Sequence, residues 1–322
     1  MRISRLLSAV TLSVTIGSAP GFAQSYPART VRIINPYPAG GAGDQLLRPI
    51  AQKLSDSLKG AFIVDNRPGA NGIIGTEIAV KSPADGYTLV MGSTSTFQNA
   101  AIYAKLPYDP IKDLAPISPY AYTSLVLNVH PSVPAATVKE FIALAKAHPA
   151  QITYGSFGIG SNGQFAGELF SMMAGVKLIH VPYKGSAPLV ADLVGGQIVS
   201  CFDTMQNSLA FIRAKRLRAL GIAELKRSPA APDIPTISES GLPGFEFGTW
   251  FGLLAPANTP REIVNKLNAE VAKAVAQPDL RESYAAMGTE PRSTTPEQFA
   301  AQIRSDIEKW SKIARSANIR AE

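Results

Sequence analysis

A single cysteine, Cys201, is the whole thiol content of this 322-residue chain, and it lies inside an apolar run. An internal disulfide and a CxxC redox or zinc pair are therefore excluded, and no cysteine follows the N-terminal apolar segment to carry a lipid anchor. Histidine is nearly as scarce. His130 precedes a proline, His148 ends a helical pattern and His180 sits in an alternating strand pattern, so structural or surface roles are expected for all three rather than a metal site. The patterns GxSxG, HExxH and GxxxxGK[ST] are missing, and no nucleophile is paired with a base. Charge is thin as well: 17% of residues are charged against 46% hydrophobic, with a net charge of +7. The densest basic patch, Arg213, Lys215, Arg216 and Arg218, has no interleaved aromatics. It reads as a solvated helix end rather than a nucleic-acid footprint. Neither a cofactor nor a metal is implied.

Long apolar runs are confined to residues 6–16, which follow Arg2 and Arg5 and precede the small-residue site Gly21-Phe22-Ala23. This is the layout of an export signal, expected to be removed as residues 1–23 and to leave a periplasmic chain starting near Gln24. Elsewhere Pro and Gly interrupt every run before it reaches membrane-span length.

Glycine, by contrast, is concentrated where it matters. Residues 152–154 read as a short buried strand, Gly155 to Gly163 as a Gly- and Ser-rich turn, and residues 164–173 as the helix leaving it. The same device occurs at residues 31–54, where the strand 31–34 runs into Tyr37-Pro38-Ala39-Gly40-Gly41-Ala42-Gly43-Asp44 and then a helix. Each unit points the free amides of a helix N-terminus into one small space, which favours an anion. The two loops are expected to face each other across a cleft and grip a carboxylate. Asp44 is ambiguous: it suits a helix cap or a loop-orienting role, and recognition of a cationic or hydroxyl group on the ligand stays open.

Along the chain, strand-like runs at 61–65, 87–91, 125–129, 177–181, 198–202 and 217–223 alternate with helical patterns at 44–58, 73–81, 138–147 and 186–194. Such alternation implies parallel sheets with ligand groups at the carboxyl ends of the strands. Ser93 and Thr94, after strand 87–91, and Asp203, after strand 198–202, are candidate cleft residues on that ground. Residues 66–72 read as an irregular loop and residues 103–119, with four prolines, as an ordered connector. Thr259-Pro260 and Thr295-Pro296 each place Thr at N-cap and Pro at N1 of a terminal helix. The last helix, apolar at Phe299, Ile303, Ile307, Trp310 and Ile313, is expected to pack on the N-terminal lobe.

Four ordered motifs then carry a resemblance over essentially the whole mature chain. Tyr37-Pro38-Ala39-Gly40-Gly41 with Asp44, Lys105-Leu106-Pro107-Tyr108-Asp109-Pro110, the second glycine loop leading to Glu168-Leu169-Phe170, and Val181-Pro182-Tyr183-Lys184-Gly185 resemble the Bug (TctC-type) family. These are periplasmic solute receptors of tripartite tricarboxylate transporters. The resemblance implies an α/β fold, the two-lobed type II periplasmic binding protein or Venus flytrap, each lobe a mixed, mainly parallel sheet flanked by helices. It implies a discontinuous first lobe (24–124 plus 250–322), a second lobe (125–249) and two hinge strands. Carried over position by position, Tyr37, Ala39 and Gly40 face Gly155, Ser156, Phe157, Gly158, Ser161 and Asn162 across the cleft. Gln164 stands where the family commonly has His, and Tyr37 with Phe157 offers a sandwich for an aromatic ring. The implied function is capture of a small carboxylate by a monomer that presents it to the membrane components of the transporter. A sensor-protein partner and a periplasmic enzyme acting on a carboxylated metabolite are the alternatives.

Overall fold

The computed structural model describes residues 26–321, so the expected export signal, residues 1–23, lies outside the described residues. In the first lobe, β1 (Val31–Asn35), α1 (Ala42–Leu58), β2 (Phe62–Asn66), α2 (Ile73–Val80) and β3 (Thr88–Ser93) alternate as expected, and α3 (Thr94–Ile102) adds a helix that the sequence pattern did not indicate. β1 lies parallel between β2 and β3. Leu46, Leu47, Ile50, Ala51 and Leu54 form the buried stripe of α1 and drive it onto the sheet. The helix begins two residues earlier than its apolar pattern suggests, so Asp44 is a helical residue in the first turn.

The strand expected at 125–129 is the last third of a 16-residue strand, β4 (Leu114–Val129). Two register shifts, at Pro116/Ser118 and Pro119/Ala121, let it pass its prolines, so residues 114–119 of the expected connector are strand and residues 103–113 remain the connection. Residues 114–124 of β4 pair with the antiparallel strand β9 (Gly248–Pro256). Beyond Ser124 its partners change to strands of the second lobe. That lobe comprises α4 (Val138–Ala147), β5 (Thr153–Ser156), α5 (Asn162–Ala174), β6 (Ile179–Pro182), α6 (Ser186–Val194), β7 (Ser200–Thr204), α7 (Met205–Arg213) and β8 (Arg218–Ile222). Its β6, β5 and β7 run parallel. The chain returns through Phe247, whose N–H donates to Ala223 O, into β9. Crossings at Ser124/Leu125 and Phe247/Gly248 join the sheets into one order, β2-β1-β3-β9-β4-β7-β5-β6.

α8 (Arg261–Ala276), α9 (Pro278–Ala286), β10 (Thr289–Glu290) and α10 (Pro296–Ser316) complete the chain. Thr295 caps α10 in a full capping box with Gln298. Thr259 does not cap α8: its hydroxyl donates to Pro256 O and the helix starts after Pro260. The last helix also departs from expectation. Phe299 and Ile303 pack with Trp250 in the first lobe, but Trp310, Ile313 and Ala314 belong to the core of the second, where Trp310 lies 4.5 Å from the Phe247 ring and 5.7 Å from Phe165. A helix of 21 residues is about 30 Å long, enough to brace both lobes.

Candidate functional site

The two glycine loops do face each other, across a cleft of about 1400 Å³. On the first-lobe side, β1 delivers the chain to Pro36 and Tyr37, and Gly40, at φ +79°, makes the left-handed turn into α1. Gly41 at the N-cap supplies no side-chain acceptor, and the first-turn amides of Ala42 and Gly43 have no partner among the described residues. Asp44 does not line the cleft; it anchors the loop from behind. Its carboxylate accepts the Gly40 N–H at 3.0 Å, Arg48 Nε at 2.9 Å and Nη2 at 3.0 Å, and Asn66 Nδ2 at 3.0 Å. Burial alone would raise its pKa, but these donors outweigh that effect and hold it at about 2. The Gly40 amide is thereby committed to Asp44.

On the second-lobe side, β5 runs on to Ser156, so Gly155 and Ser156 are strand residues behind the loop. A Cβ on Gly155 would fall 2.3 Å from Leu189, which explains this glycine by packing. Ser156 is fully buried. Its hydroxyl donates to Gly158 O at 3.0 Å and accepts the Gly158 N–H at 3.3 Å. It also lies 2.7 Å from His180 Nε2, in a hydrogen bond in which either group can donate. His180 is thus not isolated. Stacked on Tyr154 and kept neutral by burial, with a pKa of about 4, it braces the loop. This hydroxyl–imidazole pair is shut away from the cleft. Ser161 caps α5 through Gln164 N and donates to Gly158 O, while Gln164 Oε1 accepts the Gly160 N–H at 2.8 Å. Among the sequence-derived candidates of this loop, Phe157, Gly158 and Asn162 reach the cleft; Gly155, Ser156, Ser161 and Gln164 hold it in shape.

Ser93 lines the floor with its Oγ 2.8 Å from the Tyr37 hydroxyl, whereas Thr94 turns inward and accepts the Trp250 N–H at 3.1 Å. Asp203 reaches the wall, but its oxygens are occupied by Thr204 N at 2.7 Å, Asn207 Nδ2 and the Ser186 hydroxyl. Burial pushes its pKa up against these lowering contacts.

The structure adds residues that sequence reasoning left out. The loop Pro68 to Gly72 forms another first-lobe wall, and Lys184, Asn207, Phe211 and Arg216 extend the second-lobe wall along α6 and α7. Arg216, read above as part of a solvated helix end, lies with its guanidinium 5.7 Å from the Phe211 ring. Lys184 and Arg216 are the cations of the lining, and neither joins an ion pair among the described residues. With Asp203 already hydrogen-bonded, the cleft presents free amides and two unpaired positive charges, a field suited to an acid.

Comparison with known proteins agrees with this chemistry. Residues 46–319 match the model of the tripartite tricarboxylate transporter family receptor, TctC. The protein BugT of Bordetella pertussis is 36% identical over 98% of both chains. Two solved structures superpose closely. R. palustris Rpa4515 with adipate has a TM-score of 0.87 and 35% identity, covering 92% of this chain and 99% of its own. MatC from Rhodopseudomonas palustris with bound malate has a TM-score of 0.82 and 31% identity, covering 89% and 99%. Two opposed helix N-termini, a braced glycine loop on each side and a match across most of the chain lead to one assignment: the protein belongs to the TctC (Bug) family of periplasmic solute-binding receptors.

Proposed function

We propose that this receptor captures a small carboxylate, a dicarboxylate first of all, between its two glycine loops and presents it in the periplasm to the membrane components of a tripartite tricarboxylate transporter. The observation that carries the reading is the opposition of two helix starts over one cleft, α1 without a side-chain cap and α5 capped by Ser161 at Gln164 N alone, with Lys184 and Arg216 as the cations of the lining. One carboxylate docks on the amides at Ala42, Gly43 and the start of α5. The second lies toward Lys184 or Arg216, with the apolar body against Phe157 and Phe211. Adipate and malate, bound by the two relatives named above, have this form.

The magnitudes allow it. Micromolar affinity needs about 8 kcal/mol. Helix dipoles contribute roughly 0.3–1 kcal/mol each, so hydrogen bonds to the charged oxygens, at about 1.5–3 kcal/mol apiece, are the larger part. Four or five of them reach that scale only if both lobes contribute, which makes rotation about the crossings at Ser124/Leu125 and Phe247/Gly248 part of binding. Calorimetry with adipate, malate and aromatic acids, each against its methyl ester, tests the reading. Esters that bind as tightly as the acids sink it.

A further inference from the structure

The loop between β2 and α2 holds a conformation that sequence patterning does not explain. Gly69, Ala70, Asn71 and Gly72 follow one another at φ +143°, +45°, +50° and +87°. Two non-glycine residues in succession in the left-handed region mark strain that the surroundings must over-determine. What over-determines it is Asn71. Its Nδ2 donates to Asn99 Oδ1 at 2.8 Å, and Asn99 Nδ2 returns a bond to Asn71 O at 3.1 Å. The second proton of the Asn71 amide crosses the cleft to Gly160 O, 3.1 Å away on the second-lobe glycine loop. Both partners of Nδ2 are acceptors, so the amide orientation is unambiguous. Gly160 sits so close that a Cβ would fall 2.3 Å from Ile102 Cδ1 and 3.1 Å from Asn71 Nδ2. Any rotation that widens the cleft at these loops breaks the Asn71–Gly160 bond.

We propose that Asn71 is a positioning residue for closure: the strained turn presents its amide as a clasp that holds the Phe157–Asn162 loop over the bound solute. Asn71 lines the cleft, but both protons of its amide are taken by Asn99 and Gly160, so it offers the solute no donor. It acts by slowing reopening, so its signature is kinetic, and it rests on the receptor reading above only for the solute used in the assay.

Two variants separate the clasp from general packing. Asn71→Gly tolerates the left-handed backbone and deletes the amide, and Asn71→Asp keeps the shape while setting an acceptor against both Gly160 O and Asn99 Oδ1. With adipate and malate as probes, stopped-flow binding should show dissociation faster by about fivefold in Asn71→Gly, the scale of one net hydrogen bond, and by more in Asn71→Asp. Association should not slow, because the solute loads onto the open form, whose share the loss of the clasp can only raise. The unliganded melting temperature of Asn71→Gly should stay within about 2 °C of the parent. Unchanged dissociation in both variants, or equal effects on association and unliganded stability, overturns the clasp. Should the parent protein bind neither acid, the receptor reading fails on its own. The clasp is then decided by spin-label distances between positions 52 and 146 without ligand, which must lengthen in Asn71→Gly and which overturn it if they coincide with the parent.

Discussion

Asp44→Asn isolates the device that shapes the first glycine loop. In the parent, one oxygen accepts Gly40 N and Arg48 Nε, the other Arg48 Nη2, Asn66 Nδ2 and Asn35 Nδ2. Asparagine must place an NH₂ where one oxygen was, so at least two bonds are lost and donors face donors. The Arg48 side chain is half exposed and can turn to water, which limits the loss on that side. The Gly40 amide and Asn66 cannot turn away without moving the loop, and two lost bonds to a charged acceptor set a cost of about 2–3 kcal/mol. For a chain of this size that is a fall in melting temperature of roughly 4–6 °C at neutral pH. The pH dependence sharpens the test. A folded-state pKa of about 2, below the ordinary 3.8, makes the carboxylate's contribution fully present above about pH 4 and lost as pH falls through 2. The gap between parent and variant, followed by calorimetry or circular dichroism, should therefore close between pH 4 and 2. A gap under 1 °C at neutral pH, or one that persists unchanged to pH 2, refutes the assignment of Asp44 as the loop's anchor.

Three further outcomes are expected. Ser156→Ala removes the acceptor of the Gly158 N–H and the partner of His180 Nε2 inside the second lobe; melting should fall by several degrees and carboxylate affinity with it, and unchanged values for both count against the bracing role. Glu224, at the rear of the crossing beside Ser124, has its pKa raised to about 7 by burial, with Glu246 and Glu290 adding to the rise and Ser124 and Arg292 opposing it. The raised value means its neutral form contributes stability that is present below about pH 4.5 and lost as pH rises through 7, so Glu224→Gln should flatten the melting profile between pH 5 and 8. Arg216→Gln should weaken dicarboxylates by roughly threefold, the scale of a solvent-exposed ion pair, and leave a monocarboxylate of equal length alone; equal losses for both acids place the second carboxylate elsewhere.

What was legible in the sequence is what repeats locally. The alternation of apolar strands with stripes such as Leu46, Leu47, Ile50 and Leu54 revealed the α/β alternation, and Thr295 with Gln298 marked a helix start to the residue. Glycine clusters located both loops, because a strand that must turn sharply into a helix leaves a compositional trace. Which side of each loop a residue faces was not legible. Ser156 and Phe157 are neighbours in a turn-rich stretch, yet one is fully buried behind the cleft and the other lines it, a difference decided by where β5 ends. His180 looked isolated because its partner stands 24 residues away, and the Asn71 clasp spans 89. Arg216 shows the opposite failure: its local pattern is that of any solvated helix end, and only the packing of α6 and α7 turns it toward the cleft.

The division of polar groups explains how a carboxylate of the receptor's own can lie beneath the proposed anion site. An unpaired Asp44 would itself satisfy the positive end of the α1 dipole, cancelling its pull on an acidic solute; paired with Arg48 it is close to neutral at a distance, while its hydrogen bonds keep the loop open at Ala42 and Gly43. Ser156, Ser161 and Gln164 do for the second loop, with neutral groups, what Asp44 does for the first. Both loops are therefore pre-shaped by side chains that are not available to the ligand, and recognition falls to amides whose geometry those side chains fix. Such a site reads the carboxylate group itself and leaves the rest of the solute to Phe157, Phe211, Lys184 and Arg216. Changing those four should redirect which acid is bound without abolishing the binding of acids.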